Sequence, residues 1–198
     1  KAVCSWLPEG SLELSSLAEQ YGEAEVVNII RATGIERVRI ADSDMTSSDM
    51  CYNAAKALIE KENIDSAEID GLVFVSQTCD YIFAVTTSVS LQHRLKLPKT
   101  TICIDIHYGC SGYIYGLFQA AMWIACGACS NVLVLAGDTT SRMINQNDKS
   151  LRMVFGDCGT ASLLCKGTRP MGFHINSDGS GQIGSLFLPV VSGFLLQK

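Results

Sequence analysis

Two unbroken apolar runs constrain this chain more than any other feature: Leu72-Val73-Phe74-Val75 and Val132-Leu133-Val134-Leu135-Ala136. A strand with one solvated face alternates apolar and polar residues, so a run without alternation reads as a strand buried on both faces. Such strands need helices on either side of the sheet, and helical patterns do lie around them. Cys51, Ala54, Ala55, Leu58 and Ile59 fall on one face at helical spacing, with Ser48 or Asp49 able to cap the helix. Residues 85–95 and 111–126 read as two more helices, ended by Pro98 and Gly127. Residues 14–31 are helical in pattern with a break near Gly22, and strands are expected at 3–7, 35–40 and 101–106. Alternating strands and helices predict an α/β domain with a mostly parallel sheet. A final pair of strands, near residues 161–165 and 172–176, predicts an antiparallel edge.

Composition narrows the class further. Of 198 residues, 47% are apolar and 18% charged, which suits a single folded domain over residues 1–198. A net charge of −5 supplies no basic field, so no nucleic-acid partner is expected. No apolar run approaches the roughly 20 residues that cross a bilayer, so no membrane association is expected. The first eight residues are broken too soon by Pro8 to act as a signal peptide. The nine cysteines show no secreted or metal-type spacing and read as reduced thiols of a cytoplasmic protein. Cys126 and Cys129 form a CxxC, but at a helix end and without a second pair.

In a parallel sheet, reactive groups sit where strands end and helices begin. One such junction carries Asp105-Ile106-His107-Tyr108-Gly109-Cys110-Ser111-Gly112-Tyr113. Gly109 and Gly112 flank Cys110 and permit a tight turn with close backbone approach. A cysteine opening a helix sits beside unpaired N–H groups and the positive end of the helix dipole, which favour thiolate over thiol. That chemistry suits a nucleophile for an acyl thioester. Position alone leaves a second reading open, that of a small buried apolar residue.

The motifs around Cys110 resemble those of ketoacyl-ACP synthase III. The strand led by Asp105 and followed by Cys110-Ser111-Gly112-Tyr113 resembles that family's active-site stretch. Phe155-Gly156-Asp157-Cys158-Gly159-Thr160-Ala161 resembles its Phe-Gly-Asp-Gly-Ala-Gly-Ala turn. Thr33-Gly34-Ile35 with Arg37 and Arg39, and Ser177-Asp178-Gly179-Ser180, resemble two further family segments in family order. The resemblance implies a thiolase-like fold: the N-terminal half of a layered αβαβα architecture, with a mixed, mostly parallel five-stranded sheet.

The resemblance also implies a chemistry. Cys110 would accept an acyl group from a CoA or acyl-carrier-protein thioester, its own N–H helping to hold the oxyanion. Decarboxylative Claisen condensation with malonyl-ACP would follow, at the start of fatty-acid biosynthesis. The acyl carrier protein, small-molecule thioesters and a second copy in a homodimer are the implied partners, and no cofactor is implied. Arg31 and Lys149 correspond to the substrate-binding region, Lys149 near a basic position that contacts CoA phosphates. Asn28 and Ala32 stand where relatives grip the CoA adenine and can do neither job, which favours a carrier-protein donor. Phe83 corresponds to a pocket or interface position that limits acyl length.

The family draws its decarboxylating histidine and asparagine from a C-terminal half, which this chain is expected to lack. His93 reads as a surface or helix-end residue and His174 as structural, while His107 lies nearest the nucleophile. Two other readings follow: a thiolase-fold acyltransferase of secondary metabolism, or a non-catalytic half-subunit or truncated fragment inactive on its own. The apolar run at residues 190–196 fits a chain that continues.

Overall fold

The computed structural model describes residues 2–81, 85–168, 171–178 and 180. Among the described residues seven strands form: β1 (Ala2–Trp6), β2 (Ser11–Glu13), β3 (Arg37–Arg39), β4 (Gly71–Val75), β5 (Ile102–Ile106), β6 (Asn131–Asp138) and β7 (Cys158–Cys165). The helices are α1 (Ala18–Tyr21), α2 (Glu23–Thr33), α3 (Ser47–Lys61), α4 (Thr87–Arg94), α5 (Gly112–Ala125) and α6 (Lys149–Arg152). Gly22 separates α1 from α2 with a φ of 93°, a backbone conformation that favours glycine.

The main sheet has the order β1-β7-β6-β4-β5, with β4 parallel to both β5 and β6. β7 runs antiparallel to β6 and to β1. Four strands therefore share one direction and β7 alone opposes them. The antiparallel strand lies inside the sheet, not at its edge as the sequence pattern predicts. The expected strand at 172–176 does not form. β7 already has β1 on one side and β6 on the other, so a later strand has no open edge beside it.

The unbroken runs do bury both faces. On β4, Leu72 and Phe74 pack with Leu58 of α3 and Leu91 of α4, while Val73 and Val75 join Ala120 of α5 on the opposite face. β6 divides the same way, Leu133 and Leu135 to one side, Val132 and Val134 to the other. The two-residue period of a strand produces this split. Truncating Leu133 to alanine would cost about 3 kcal/mol by the usual cavity effect.

Two glycines let α5 lie close on the sheet. A Cβ at Gly112 would stand 2.8 Å from Val75 Cγ1, and one at Gly116 would stand 2.8 Å from Val75 Cγ2. Both values are shorter than real contacts allow, so this helix can hold its place only with glycine there.

The N-terminus of α3 is capped by Thr46, not by Ser48 or Asp49. Thr46 accepts from the Asp49 N–H, and Asp49 accepts from the Thr46 N–H in return. Three candidate cap residues lie within four positions, and the reciprocal bond requires a carboxylate three residues after the cap. Ser48 instead donates its backbone N–H to Asp80 at 3.2 Å. Residues 1–168 form one compact unit and residues 169–198 another. In the second, Asp178 accepts the Ser180 N–H at 2.8 Å.

Candidate active site

The three parallel strands β4, β5 and β6 deliver their C-terminal ends to one rim, and carboxylates organise the loops there. Asp105, near the end of β5, accepts the Thr87 and Ser88 N–H groups at 2.7 and 2.8 Å, and so holds the first turn of α4. Asp157, fully buried, accepts from the Ala41 and Ser141 backbone and from the Ser141 hydroxyl. Its own N–H donates to the Arg39 carbonyl at 2.8 Å. Asp157 thus ties three segments together and leaves no free oxygen facing outward for chemistry.

Cys110 lies in the connection between β5 and α5. The Gly112 N–H donates to the Gly109 carbonyl at 2.7 Å and closes the turn around it. The cysteine is exposed, two residues before the helix begins. Beside it the Tyr108 and Tyr115 rings pack with centroids 4.6 Å apart, joining the turn to the first turn and a half of α5. His107 is also exposed, and its Nδ1 lies 3.8 Å from Cys79 Sγ. The structure therefore gives His107 a thiol neighbour on the loop after β4.

The other thiols differ from Cys110 in their surroundings. Burial pushes the Cys79 thiol up, helped by the carboxylates of Asp105, Asp138 and Asp80. Burial and Asp105 push Cys103 up to about 11. Burial also raises Cys51, Cys129 and Cys158. A thiol raised in this way stays protonated, and only thiolate reacts. Iodoacetamide at pH 7.5 is therefore expected to spare these five and to modify exposed Cys110 and Cys126. Labelling of Cys103 should emerge only as the pH approaches 11. Peptide mapping of the alkylated chain across that pH range checks the order.

Arg31 is exposed in the last turn of α2. Lys149 pairs with Glu25, on the same helix, at 3.2 Å. The structure thus places these two cations on α2 and on the helix paired with it. Phe83 lies outside the described residues, as do residues 190–196. His93 is exposed at the end of α4, and His174 Nε2 lies 2.9 Å from Asn176 Nδ2.

Asp138 is a feature that the sequence pattern does not single out. It ends β6 and gathers Ser76, Gln77 and Thr78 around one carboxylate oxygen. Its only sequence signal is a polar residue two positions after an apolar run, at the rim where parallel sheets place their sites. Among the described residues no helix is long and apolar enough to cross a membrane. Among them, too, no group of three or more histidines, cysteines and acids is arranged to hold a metal ion.

Comparison with known proteins agrees with this arrangement. The family model for 3-oxoacyl-[acyl-carrier-protein (ACP)] synthase III matches residues 104–179, which include Cys110 and the Phe155-Gly156-Asp157 turn. A beta-ketoacyl-[acyl-carrier-protein] synthase III of Desulfitobacterium hafniense is 31% identical over 185 residues, covering 92% of this chain and 54% of the relative. A crystal structure of a 3-oxoacyl-(acyl-carrier-protein) synthase III superposes with a TM-score of 0.85 at 33% identity, over 91% of this chain and 54% of that one. The priming beta-ketosynthase of the R1128 polyketide pathway superposes with a TM-score of 0.76 at 27% identity, over 85% of this chain and 49% of that one. The chain spans about half the length of the relatives it matches. With its thiolase-like mixed sheet and its ordered motifs, the chain is similar to 3-oxoacyl-[acyl-carrier-protein] synthase III proteins over about half of their length.

Proposed function

We propose that Cys110 is the acyl acceptor of a 3-oxoacyl-ACP synthase III-like acyltransferase. The observation that carries this reading is an exposed thiol in a glycine-closed turn at the head of α5, inside the segment that matches the family. The Cys110 sulfur attacks the thioester carbonyl, a new C–S bond forms, and the donor's C–S bond breaks. The departing thiol carries away the proton that Cys110 gives up. The Cys110 N–H is the proposed donor to the oxyanion that forms in between. In the whole protein the acyl group would then condense with a decarboxylating malonyl-ACP, at the first step of fatty-acid synthesis, without a cofactor.

Arg31 and Lys149 are the proposed contacts for the donor's phosphates, and Phe83 a determinant of acyl length. The acyl carrier protein is the proposed protein partner. A cytoplasmic homodimer is the proposed assembly, supported by β5, which among the described residues has β4 on one side only and shows Ile102 exposed. An edge strand of this kind invites pairing with a second copy. The likeness to a polyketide priming synthase keeps a secondary-metabolic acyltransferase as the second reading.

The test uses the full chain with a panel of acyl-CoA and acyl-carrier-protein donors. Intact mass spectrometry should show one acyl addition, released by neutral hydroxylamine as a thioester is. No addition from any donor would overturn the proposal.

A further inference from the structure

The loop after β4 is built around a single carboxylate oxygen. Asp138 Oδ1 accepts the Gln77 N–H at 2.7 Å, the Ser76 hydroxyl at 2.9 Å, and both the N–H and the hydroxyl of Thr78 at 3.1 Å. The Thr139 N–H donates to the Thr78 hydroxyl oxygen at 2.9 Å, so the residue after Asp138 grips the same loop. From the other side, the Ser76 N–H donates to the Ile106 carbonyl at 3.2 Å. Ile106 is the last residue of β5, the strand that leads into the Cys110 turn.

The loop so held presents Gln77 to that turn. The Gln77 carboxamide lies against Gly109: a Cβ placed on Gly109 would overlap Gln77 Nε2 and stand 3.6 Å from its Cδ. Gly109 is the residue before Cys110, and its carbonyl accepts the bond that closes the turn. Nε2 is the free end of a flexible, exposed side chain, so it keeps this place against Gly109 only while the 76–78 backbone is held. Charge-assisted bonds to backbone N–H groups are among the stronger ones available to a loop.

We infer that Asp138 is a positioning residue for the nucleophile: it holds the 76–78 loop so that the Gln77 carboxamide braces Gly109 and sets the placement of Cys110. The inference rests on Cys110 being the acyl acceptor. Displacing an acyl acceptor by about an ångström is enough to slow transfer strongly, because reaction requires alignment with the thioester carbonyl. One carboxylate oxygen receives all four bonds, so Asp138→Asn keeps the acceptor that the brace needs.

The experiment measures the saturating rate of Cys110 acylation in the full chain, together with the donor concentration at half-saturation. Gln77→Ala removes the carboxamide from an exposed position, and Asp138→Ala removes the hub. Each is expected to lower the saturating rate ~10-fold with half-saturation unchanged. The double variant should be no slower than Asp138→Ala alone, since both act on one brace. Asp138→Asn should return the rate to within about twofold of the starting protein. If Asp138→Ala fails to fold, Gln77→Ala decides alone. A folded Gln77→Ala that acylates at the original rate overturns the inference, and so do losses that add. If the unaltered chain takes no acyl group, the acyl-acceptor reading fails by itself. Iodoacetamide alkylation of Cys110 then decides the brace: unchanged rates in both variants overturn it, and a shared, non-additive change sustains it.

Discussion

Cys110→Ala is expected to reduce acyl incorporation into the chain to background, a loss of ~1,000-fold or more. The size follows from the absence of a substitute at that place. Five of the other thiols are raised by burial and neighbouring carboxylates, so they remain protonated near neutral pH. Cys79 is the notable one, because it contacts His107 three residues before Cys110 in sequence. Its surroundings hold it as a thiol and so keep it from replacing the lost nucleophile. Cys110→Ser should lose as much activity, since a hydroxyl is a far weaker nucleophile at neutral pH. An exposed position makes little difference to packing, so both variants should melt as the starting protein does. Radiolabelled acyl donor, followed by filter counting, reads the first effect, and circular dichroism on heating reads the second.

Gly159→Ala is expected to cost about 3 kcal/mol of unfolding free energy. Gly159 sits in β7 opposite Trp6 of β1 and Gly137 of β6. A Cβ there would run into the backbone of Met50 and Cys51 in α3, and would stand 2.7 Å from Met50 Cβ. The helix cannot withdraw, because Cys51, Ala54, Ala55 and Leu58 are all fully buried against the sheet. Backbone against backbone leaves no flexible side chain to absorb the overlap. Gly167→Ala provides the control, with nothing within 4 Å of the added carbon. It should change stability by no more than about 0.5 kcal/mol. Urea unfolding compares the two: a lowered midpoint at constant slope is expected for Gly159→Ala alone.

The glycine prediction gives the Phe155-to-Ala161 motif a physical reason in two of its positions. Asp157 binds three segments together, and Gly159 lets α3 touch the sheet. A resemblance can locate such a motif, but contacts explain why those residue types stand there.

The central sheet was legible because double-sided burial removes polar alternation, and only a few strands in any chain do this. β4 and β6 therefore declared themselves, and the Cys110 junction followed from the order of strand and helix. Pairing between distant segments left no comparable trace. β1 joins β7 across some 150 residues, and nothing in Ala2–Trp6 names that partner. The expected strand at 172–176 failed for the same reason, since an apolar pattern does not state whether an edge is open. Asp138 was invisible because its donors lie about 60 residues away. A polar residue after a strand does not by itself say what it holds. Thr46, Ser48 and Asp49 are all good caps, and only the reciprocal geometry distinguishes them.

Lys149, the proposed phosphate contact, lies 3.2 Å from a carboxylate of α2. The structure gives it a neighbour in Glu25, so an ion pair competes with any phosphate contact proposed for it.

The central claim is that one thiol among nine accepts the acyl group. Digesting the acylated full chain under mildly acidic conditions and sequencing its peptides by tandem mass spectrometry locates the adduct directly. The account predicts the acyl mass on the peptide containing Cys110, and on no other cysteine at comparable occupancy. An acyl group found chiefly on exposed Cys126, or spread over several thiols, would contradict it.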